Sequence, residues 1–90
     1  MNRILIAEDA ERISSFISKG LEAAGFSTVV APTGEQALAM LRSADFDLLI
    51  LDIGLPGKDG FEVMQEIRGT GNEIPILVLT ARDSVDDTVA

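Results

Sequence analysis

Four short apolar segments recur along this chain, at residues 4–7, 29–31, 47–52 and 76–79. Inside them polar and apolar residues do not alternate, which is the pattern of strands that are buried on both faces. The segments that separate them place their apolar residues at helical spacing. Strands of this kind alternating with amphipathic helices predict an α/β fold with a parallel sheet. Right-handed crossovers then make that sheet doubly wound.

Three helices are predicted between the strands, and a fourth is predicted to begin after the last strand. Gly25 marks the expected end of the first helix, and Thr33 with Gln36 predicts a capping box that starts the second. Ser84 is the expected N-cap of the fourth. The side chains expected on the buried faces of the first three helices are Ile13, Phe16, Ile17, Leu21, Ala24, Ala37, Leu38, Leu41, Ala44, Val63, Met64 and Ile67.

The length of 90 residues is enough for one small domain, which we expect to span residues 1–90. The net charge of −8 argues against direct contact with nucleic acid or an anionic membrane, because both need a basic surface. The chain has no cysteine, which excludes disulfides and thiolate chemistry. Its apolar runs are too short to span a bilayer, and no signal peptide follows Met1. We therefore expect a cytoplasmic protein.

Polar side chains stand where three of the predicted strands end. Glu8 and Asp9 follow the first strand, Asp52 ends the third, and Thr80 follows the fourth. Ligands of open parallel sheets bind beyond the carboxyl ends of the strands, so we expect these side chains to meet. Three carboxylates without a cation among them repel one another unless one is protonated or a metal neutralises them. Oxygen ligands without His or Cys favour Mg²⁺.

A site of this composition suits phosphoryl transfer, in which a carboxylate attacks the phosphorus atom while a metal and a hydroxyl hold the other oxygens. Asp52 is the best candidate for the nucleophile because it ends the most hydrophobic strand, and Thr80 supplies the hydroxyl. Each residue alone has a simpler interpretation, since acids at strand ends commonly cap the next helix or turn. Gly54, Gly57 and Gly60 indicate turn geometry rather than a phosphate cradle. No glycine motif for nucleotide binding occurs.

Three stretches of the chain resemble the receiver domains of bacterial response regulators. They are ILIAED at residues 4–9, DLLILDIGLPGKDG at residues 47–60 and PILVLTAR at residues 75–82. The likeness covers all 90 residues in order, and it looks closest to the OmpR/PhoB class, whose output domain is a winged-helix DNA-binding domain. The resemblance implies a flavodoxin-like sheet of order 2-1-3-4. It also implies that the family's fifth strand and fifth helix are missing, because the chain stops at Ala90.

The resemblance further implies the role of each site residue in a two-component phosphorelay. Asp52 accepts a phosphoryl group from the phosphohistidine of a sensor histidine kinase, and the change switches a covalently linked output domain. The implied metal is Mg²⁺, held by Asp9 and Asp52, by Glu8 through water, and by the backbone carbonyl of Gly54. Such a protein is a phosphorylation switch that assists its own phosphoryl transfer, and we do not expect a conventional enzyme.

The same resemblance gives Thr80 a hydrogen bond to a phosphoryl oxygen, assisted by the backbone N–H groups of Ile53 and Ala81. The family's fifth strand carries a lysine that contacts the phosphoryl group. Neither Lys19, on the first helix, nor Lys58, in the loop after the third strand, can be assigned that role. The family also has an aromatic switch residue that follows the movement of Thr80, and it is likewise missing, so the departure from the family pattern is large.

Two other functions remain open. A truncated or degenerate receiver could act as a self-associating protein-interaction module without phosphorylation. Loss of the fifth strand would leave residues 76–80 as an open apolar edge, so a homo-oligomer formed through the fourth strand is expected. A phosphatase with an aspartate nucleophile is the other possibility. Such enzymes typically carry a second aspartate two residues after the nucleophile, and Gly54 at that place disfavours this function.

Overall fold

The computed structural model describes residues 2–79, which form four parallel strands and three helices. The elements in chain order are β1 (Arg3–Ala7), α1 (Glu11–Ala23), β2 (Ser27–Ala31), α2 (Gly34–Ser43), β3 (Leu48–Asp52), α3 (Gly60–Gly69) and β4 (Ile76–Leu79). The predictions for Thr80, Ala81 and the helix capped by Ser84 lie outside the described residues. Within residues 2–79, no helix has the length and apolar character that crossing a bilayer requires.

The strands are ordered β2-β1-β3-β4. β1 is central, and it pairs in parallel with both β2 and β3. Its last residue, Ala7, stands opposite Ala31 on one side and Leu51 on the other. β4 adds to the far side of β3, with Asp52 opposite Leu79. The predicted order is therefore confirmed, and the carboxyl ends of the strands meet at one edge of the sheet.

Both faces of the sheet are covered, which explains why its strands lack polar–apolar alternation. Successive residues of β1 enter opposite cores, because side chains of a strand point alternately to its two faces. Leu5 and Ala7 pack with Val63 and Ile67 of α3 and with residues of α2. Ile4 and Ile6 pack with Ile50 and with Ile17 and Leu21 of α1. The helices thus lie on both faces, as a doubly wound sheet requires.

The buried face of α1 differs from the predicted one in two places. Phe16 is 80% exposed, and Ala24, just beyond the helix, is also exposed. Ser14 is buried instead, and its hydroxyl donates to the carbonyl of Glu11 at 3.2 Å. The seam that faces the sheet runs through Ser14, Ile17 and Leu21, at spacings of three and four. Phe16 lies about 100° around the helix from Ile17, so it points away from that seam.

The capping box lies at a different helix from the predicted one. At α2 the Thr33 side chain accepts from the backbone N–H of Gln36 at 3.1 Å, but the Gln36 side chain does not return a bond to the backbone N–H of Thr33. At α3 both bonds are made. The Asp59 carboxylate accepts from Glu62 N, and the Glu62 carboxylate accepts from Asp59 N, each at 3.0 Å. This box fixes the start of α3 directly after the loop that leaves β3.

Gly60 shows how tightly α3 begins against the end of β3. A Cβ atom at Gly60 would lie 2.7 Å from the Cα of Ile53 and 2.8 Å from the carbonyl oxygen of Asp52. Both are backbone atoms, so neither can move aside by a change of rotamer. Only glycine allows the helix to start this close to the strand that carries Asp52.

We expect Gly60→Ala to lower the free energy of unfolding by about 1–3 kcal/mol, as overpacking typically does. Gly20→Ala is the matched control, because Gly20 also lies in a helix but a Cβ there meets nothing within 4 Å. That control should stabilise the protein by about 0.8–1 kcal/mol through helix propensity. Urea unfolding of the three proteins measures both effects. Equal changes in the free energy of unfolding of the two variants would contradict the close packing at Gly60.

Candidate functional site

Three carboxylates meet where β1 and β3 end. Ala7 stands opposite Leu51, so Glu8, which follows β1, lies beside Asp52. The backbone N–H of Glu8 donates to Ala31 O at 3.1 Å and so continues the sheet by one residue. Glu8, Asp9 and Asp52 each offer a carboxylate oxygen, and these oxygens all lie within 4.8 Å of one another. The expected meeting of the three acids is therefore present in the structure.

The three acids differ in their exposure to solvent. Glu8 is 3% exposed and Asp52 is 4% exposed, so both are buried at the floor of the site. Asp9 is exposed and stands at its mouth. A ligand that enters the site would therefore meet one solvated and two desolvated carboxylates, and interactions with the buried pair are less screened by water.

Each buried carboxylate is oriented by a backbone N–H group close to it in the chain. Ala10 N donates to Oε2 of Glu8 at 3.0 Å, and Gly54 N donates to Oδ1 of Asp52 at 3.2 Å. A side-chain hydrogen bond between Glu8 and Asp9 also acts on Glu8 and raises its pKa. Within residues 2–79 the other oxygen of Asp52 accepts no hydrogen bond, so it is available to a cation or a ligand.

The electrostatics of the cluster are unfavourable when it holds no counter-ion. Burial raises the pKa of Glu8 above its ordinary value, and the nearby charges of Asp52 and Asp9 raise it further. The hydrogen bond from Ala10 acts in the opposite direction. Between residues 2 and 79 the only salt bridge joins Lys58 to Glu66, so no lysine or arginine of that region neutralises the cluster.

The donor set fits a hard divalent cation. Carboxylate oxygens without nitrogen or sulfur ligands are what Mg²⁺ and Ca²⁺ prefer. Two buried carboxylates and one exposed carboxylate leave room for water or for an incoming oxygen ligand on the open side. A cation bound there would offset the repulsion from Asp52 and Asp9, which adds to the effect of burial on the pKa of Glu8.

Two backbone groups predicted for the site can be placed. Gly54 lies two residues after Asp52, and its N–H donates to the Asp52 carboxylate, while no group of residues 2–79 donates to its carbonyl. The N–H of Ile53 donates to Leu79 O at 3.1 Å as part of the sheet. A contact of this N–H with a phosphoryl oxygen would share or replace that bond, and the contact stays a prediction. Thr80 and Ala81 lie outside the described residues.

Sequence reasoning missed what holds the loop between β3 and α3. Leu55 is buried in the core shared with α2 and α3. The backbone N–H of Gly60 donates to Ile53 O at 3.0 Å and closes the loop at its base. Gly57 has a φ of +73°, which confirms the predicted turn geometry there. The sequence does indicate where the loop ends and α3 begins, because Asp59 and Glu62 have the spacing of a capping box.

The family model described as "Response regulator receiver domain" matches residues 4–90. Response regulator MprA of Mycobacterium tuberculosis is 44% identical over 88 residues, which cover 98% of this chain. MprA of Mycobacterium avium is 43% identical over the same length. This chain spans 38% and 39% of the lengths of these two relatives.

Solved structures agree in fold. Response regulator TrrA of Thermotoga maritima, in complex with Mg(2+)-BeF, has a TM-score of 0.87 and 37% identity, covering 97% of this chain and 76% of that one. The structure of histidine kinase ThkA in complex with TrrA gives a TM-score of 0.85 and 38% identity, covering 92% of this chain and 72% of that one. These likenesses confirm the predicted fold class.

The raised pKa of Glu8 predicts a pH dependence of stability. A free glutamate titrates with a pKa near 4.5, and burial places the folded value higher. Between the two values the folded state binds more protons than the unfolded chain, so metal-free stability should fall as pH rises through this window. Glu8→Gln should abolish that contribution and stabilise the metal-free protein at neutral pH.

Urea unfolding in a chelating buffer, from about pH 4 to about pH 8, measures the effect over the range in which the shifted carboxyl titrates. Glu73→Gln is the control, because Glu73 is an exposed acid between α3 and β4. A difference between wild type and Glu8→Gln that stays constant over the whole range would contradict the prediction.

Proposed function

The chain belongs to the response regulator receiver domain family, and on that premise we propose that Asp52 is its phosphoacceptor. The observation that carries the proposal is the cluster of Glu8, Asp9 and Asp52 at the carboxyl edge of the sheet. The phosphoryl donor is the phosphohistidine of a sensor histidine kinase. Phosphorylation of Asp52 then switches an output domain.

Asp52 suits the role of nucleophile better than its two neighbours do. It is the last residue of β3, and the N–H of Gly54 holds one of its oxygens, so its carboxylate is well oriented. Asp9 is exposed and lies beyond the end of β1. Burial raises the pKa of Glu8, so its carboxyl group is protonated more readily than that of a free glutamate. A protonated carboxyl group is a poor nucleophile.

The proposed step forms one bond and breaks another. An oxygen of the Asp52 carboxylate attacks phosphorus, and the bond between phosphorus and the imidazole nitrogen breaks. The electron pair of that bond stays on the ring, which leaves as neutral histidine because its other nitrogen carries a proton. The product is an acyl phosphate on Asp52. By analogy with other phosphorylated side chains it carries roughly −1.5 to −2 charge in total, whereas the free carboxylate carries a single negative charge. We infer that this makes the domain a switch rather than a conventional enzyme.

Mg²⁺ is the metal that we propose for the site. Asp9, Asp52, the backbone carbonyl of Gly54 and Glu8 through water would hold it, and it would supply positive charge against the phosphoryl oxygens. Thr80 and the N–H groups of Ile53 and Ala81 are proposed to contact those oxygens. The likeness to TrrA supports the metal, since that protein was solved with Mg(2+)-BeF.

The proposed partners follow from the family and from the composition. The structure of ThkA with TrrA supports a histidine kinase as the donor. This chain spans less than half of MprA, which supports a linked output domain, and we propose one of the winged-helix DNA-binding class. With a net charge of −8, this domain itself should contact neither nucleic acid nor membrane. We propose that it acts in the cytoplasm.

Incubation with Mg²⁺ and a small phosphodonor should add one phosphoryl group to the wild-type protein and none to Asp52→Asn. Intact-mass spectrometry measures the adduct. Asp45→Asn is the matched control, because Asp45 is an exposed acid at the opposite edge of the sheet, before β3. An adduct of equal yield on Asp52→Asn would rule out Asp52 as the acceptor.

A second candidate function is a self-associating interaction module without phosphorylation. Leu77 is 54% exposed and Val78 is 40% exposed on β4, and within residues 2–79 this strand pairs only with β3. An apolar strand edge of this kind can pair with another chain. We propose a homo-oligomer through β4 as the form that such a module would take.

Mg²⁺ binding separates the two candidates. Isothermal titration should show binding to the wild-type protein that weakens by at least about 10-fold in Asp9→Asn and in Asp52→Asn, because each removes a charged ligand. The Asp45→Asn variant should bind as the wild type does. Binding that is indifferent to both ligand substitutions would favour the interaction module, and sedimentation would then test self-association.

A further inference from the structure

We propose that Gly34, at the start of α2, is a positioning residue for the metal and phosphoacceptor site. It acts through the loop between β3 and α3, defined here as residues 53–59, which carries Gly54. The inference rests on the proposed function, because Gly54 is the loop residue proposed to bind Mg²⁺. Gly34 itself touches neither the metal ligands nor Asp52.

The loop is fixed at its base and in its middle, but its tip depends on other elements. The bond from Gly60 N to Ile53 O closes the base, and the buried side chain of Leu55 anchors the middle. The tip comprises Gly57 and Lys58. It is held against the first turn of α2 by packing and against α3 by the ion pair of Lys58 with Glu66.

The contact with α2 exists because residue 34 has no side chain. A Cβ atom at Gly34 would lie 2.6 Å from the backbone oxygen of Lys58 and 2.7 Å from Cγ2 of Val63. It would also lie 3.3 Å from the Cβ of Lys58. The backbone of the loop tip thus rests directly on the backbone of α2, and any side chain at residue 34 must displace one of them.

The loop tip, not α2, is the part that should yield. α2 is anchored in the core by Ala37, which is fully buried, and by Leu38, which is 6% exposed. Gly57 is exposed and Lys58 is half-buried. Only Leu55 and Pro56 separate Gly57 from Gly54, so a shift of the tip pulls on the Leu55 anchor and through it on Gly54. Gly54 then loses alignment with Asp52, whose carboxylate its N–H binds at 3.2 Å.

The test is Mg²⁺ titration of Gly34→Ala, with folding verified by circular dichroism under the same conditions. We expect the dissociation constant to rise by about 10-fold, the lower end of what loss of a supporting contact costs a metal site. Gly20→Ala is the control, because its Cβ meets nothing. Adding Val63→Ala to Gly34→Ala removes one of the two collisions and should restore part of the affinity.

A measurement on the wild-type protein gives the same answer without a variant. Coupling between two sites is reciprocal, so Mg²⁺ should shift the amide resonances of Gly34 and Lys58 while leaving Gly20 unchanged. A folded Gly34→Ala variant with unchanged Mg²⁺ affinity would overturn the proposal. It would also be overturned if the amide resonances of Gly34 and Lys58 did not shift while Mg²⁺ binds to the wild-type protein. Failure of the wild type to bind Mg²⁺ would overturn the proposed function instead.

Discussion

The parallel register of β1 with β3 is the constraint on which the rest of the structure depends. It sets Ala7 opposite Leu51, so the residues that follow these two, Glu8 and Asp52, are neighbouring acids. Shifting a strand by one residue would turn its side chains to the opposite face. Ile4 and Ile6 would then leave the α1 core, so the burial of these side chains holds the register. The core therefore determines the geometry of the site.

The fold could be predicted from the sequence because burial on both faces leaves a simple pattern. Strand order and the meeting of Glu8, Asp9 and Asp52 followed from that pattern and from the family resemblance. Phe16 could not be placed, because helical spacing allows several apolar seams and only packing selects one. Ser14 satisfies its own hydroxyl within α1, and this lets a polar residue occupy the buried seam that was expected to be wholly apolar.

The loop after β3 was the part that local reasoning described least well. The predicted turn geometry is confirmed at Gly57, whereas Gly60 is the first residue of α3. Two glycines serve a different purpose. Gly60 and Gly34 have no side chain because backbone from another element lies where the Cβ would be. Such a requirement depends on residues that are distant in sequence or across a turn, and spacing alone does not reveal it. The site is consequently supported from α2 as well as from the strands that carry its acids.

The crowding of three carboxylates also links folding to the composition of the surrounding solution. A cation that binds the folded cluster and has little affinity for the unfolded chain adds a free energy of RT ln(1 + [L]/Kd) to the folded state. Burial of Glu8 raises its pKa and makes its charged form costly in the empty cluster, so a cation bound there would stabilise this corner of the molecule. If the proposed Mg²⁺ binds there, the fraction of molecules with a well-formed site varies with magnesium supply.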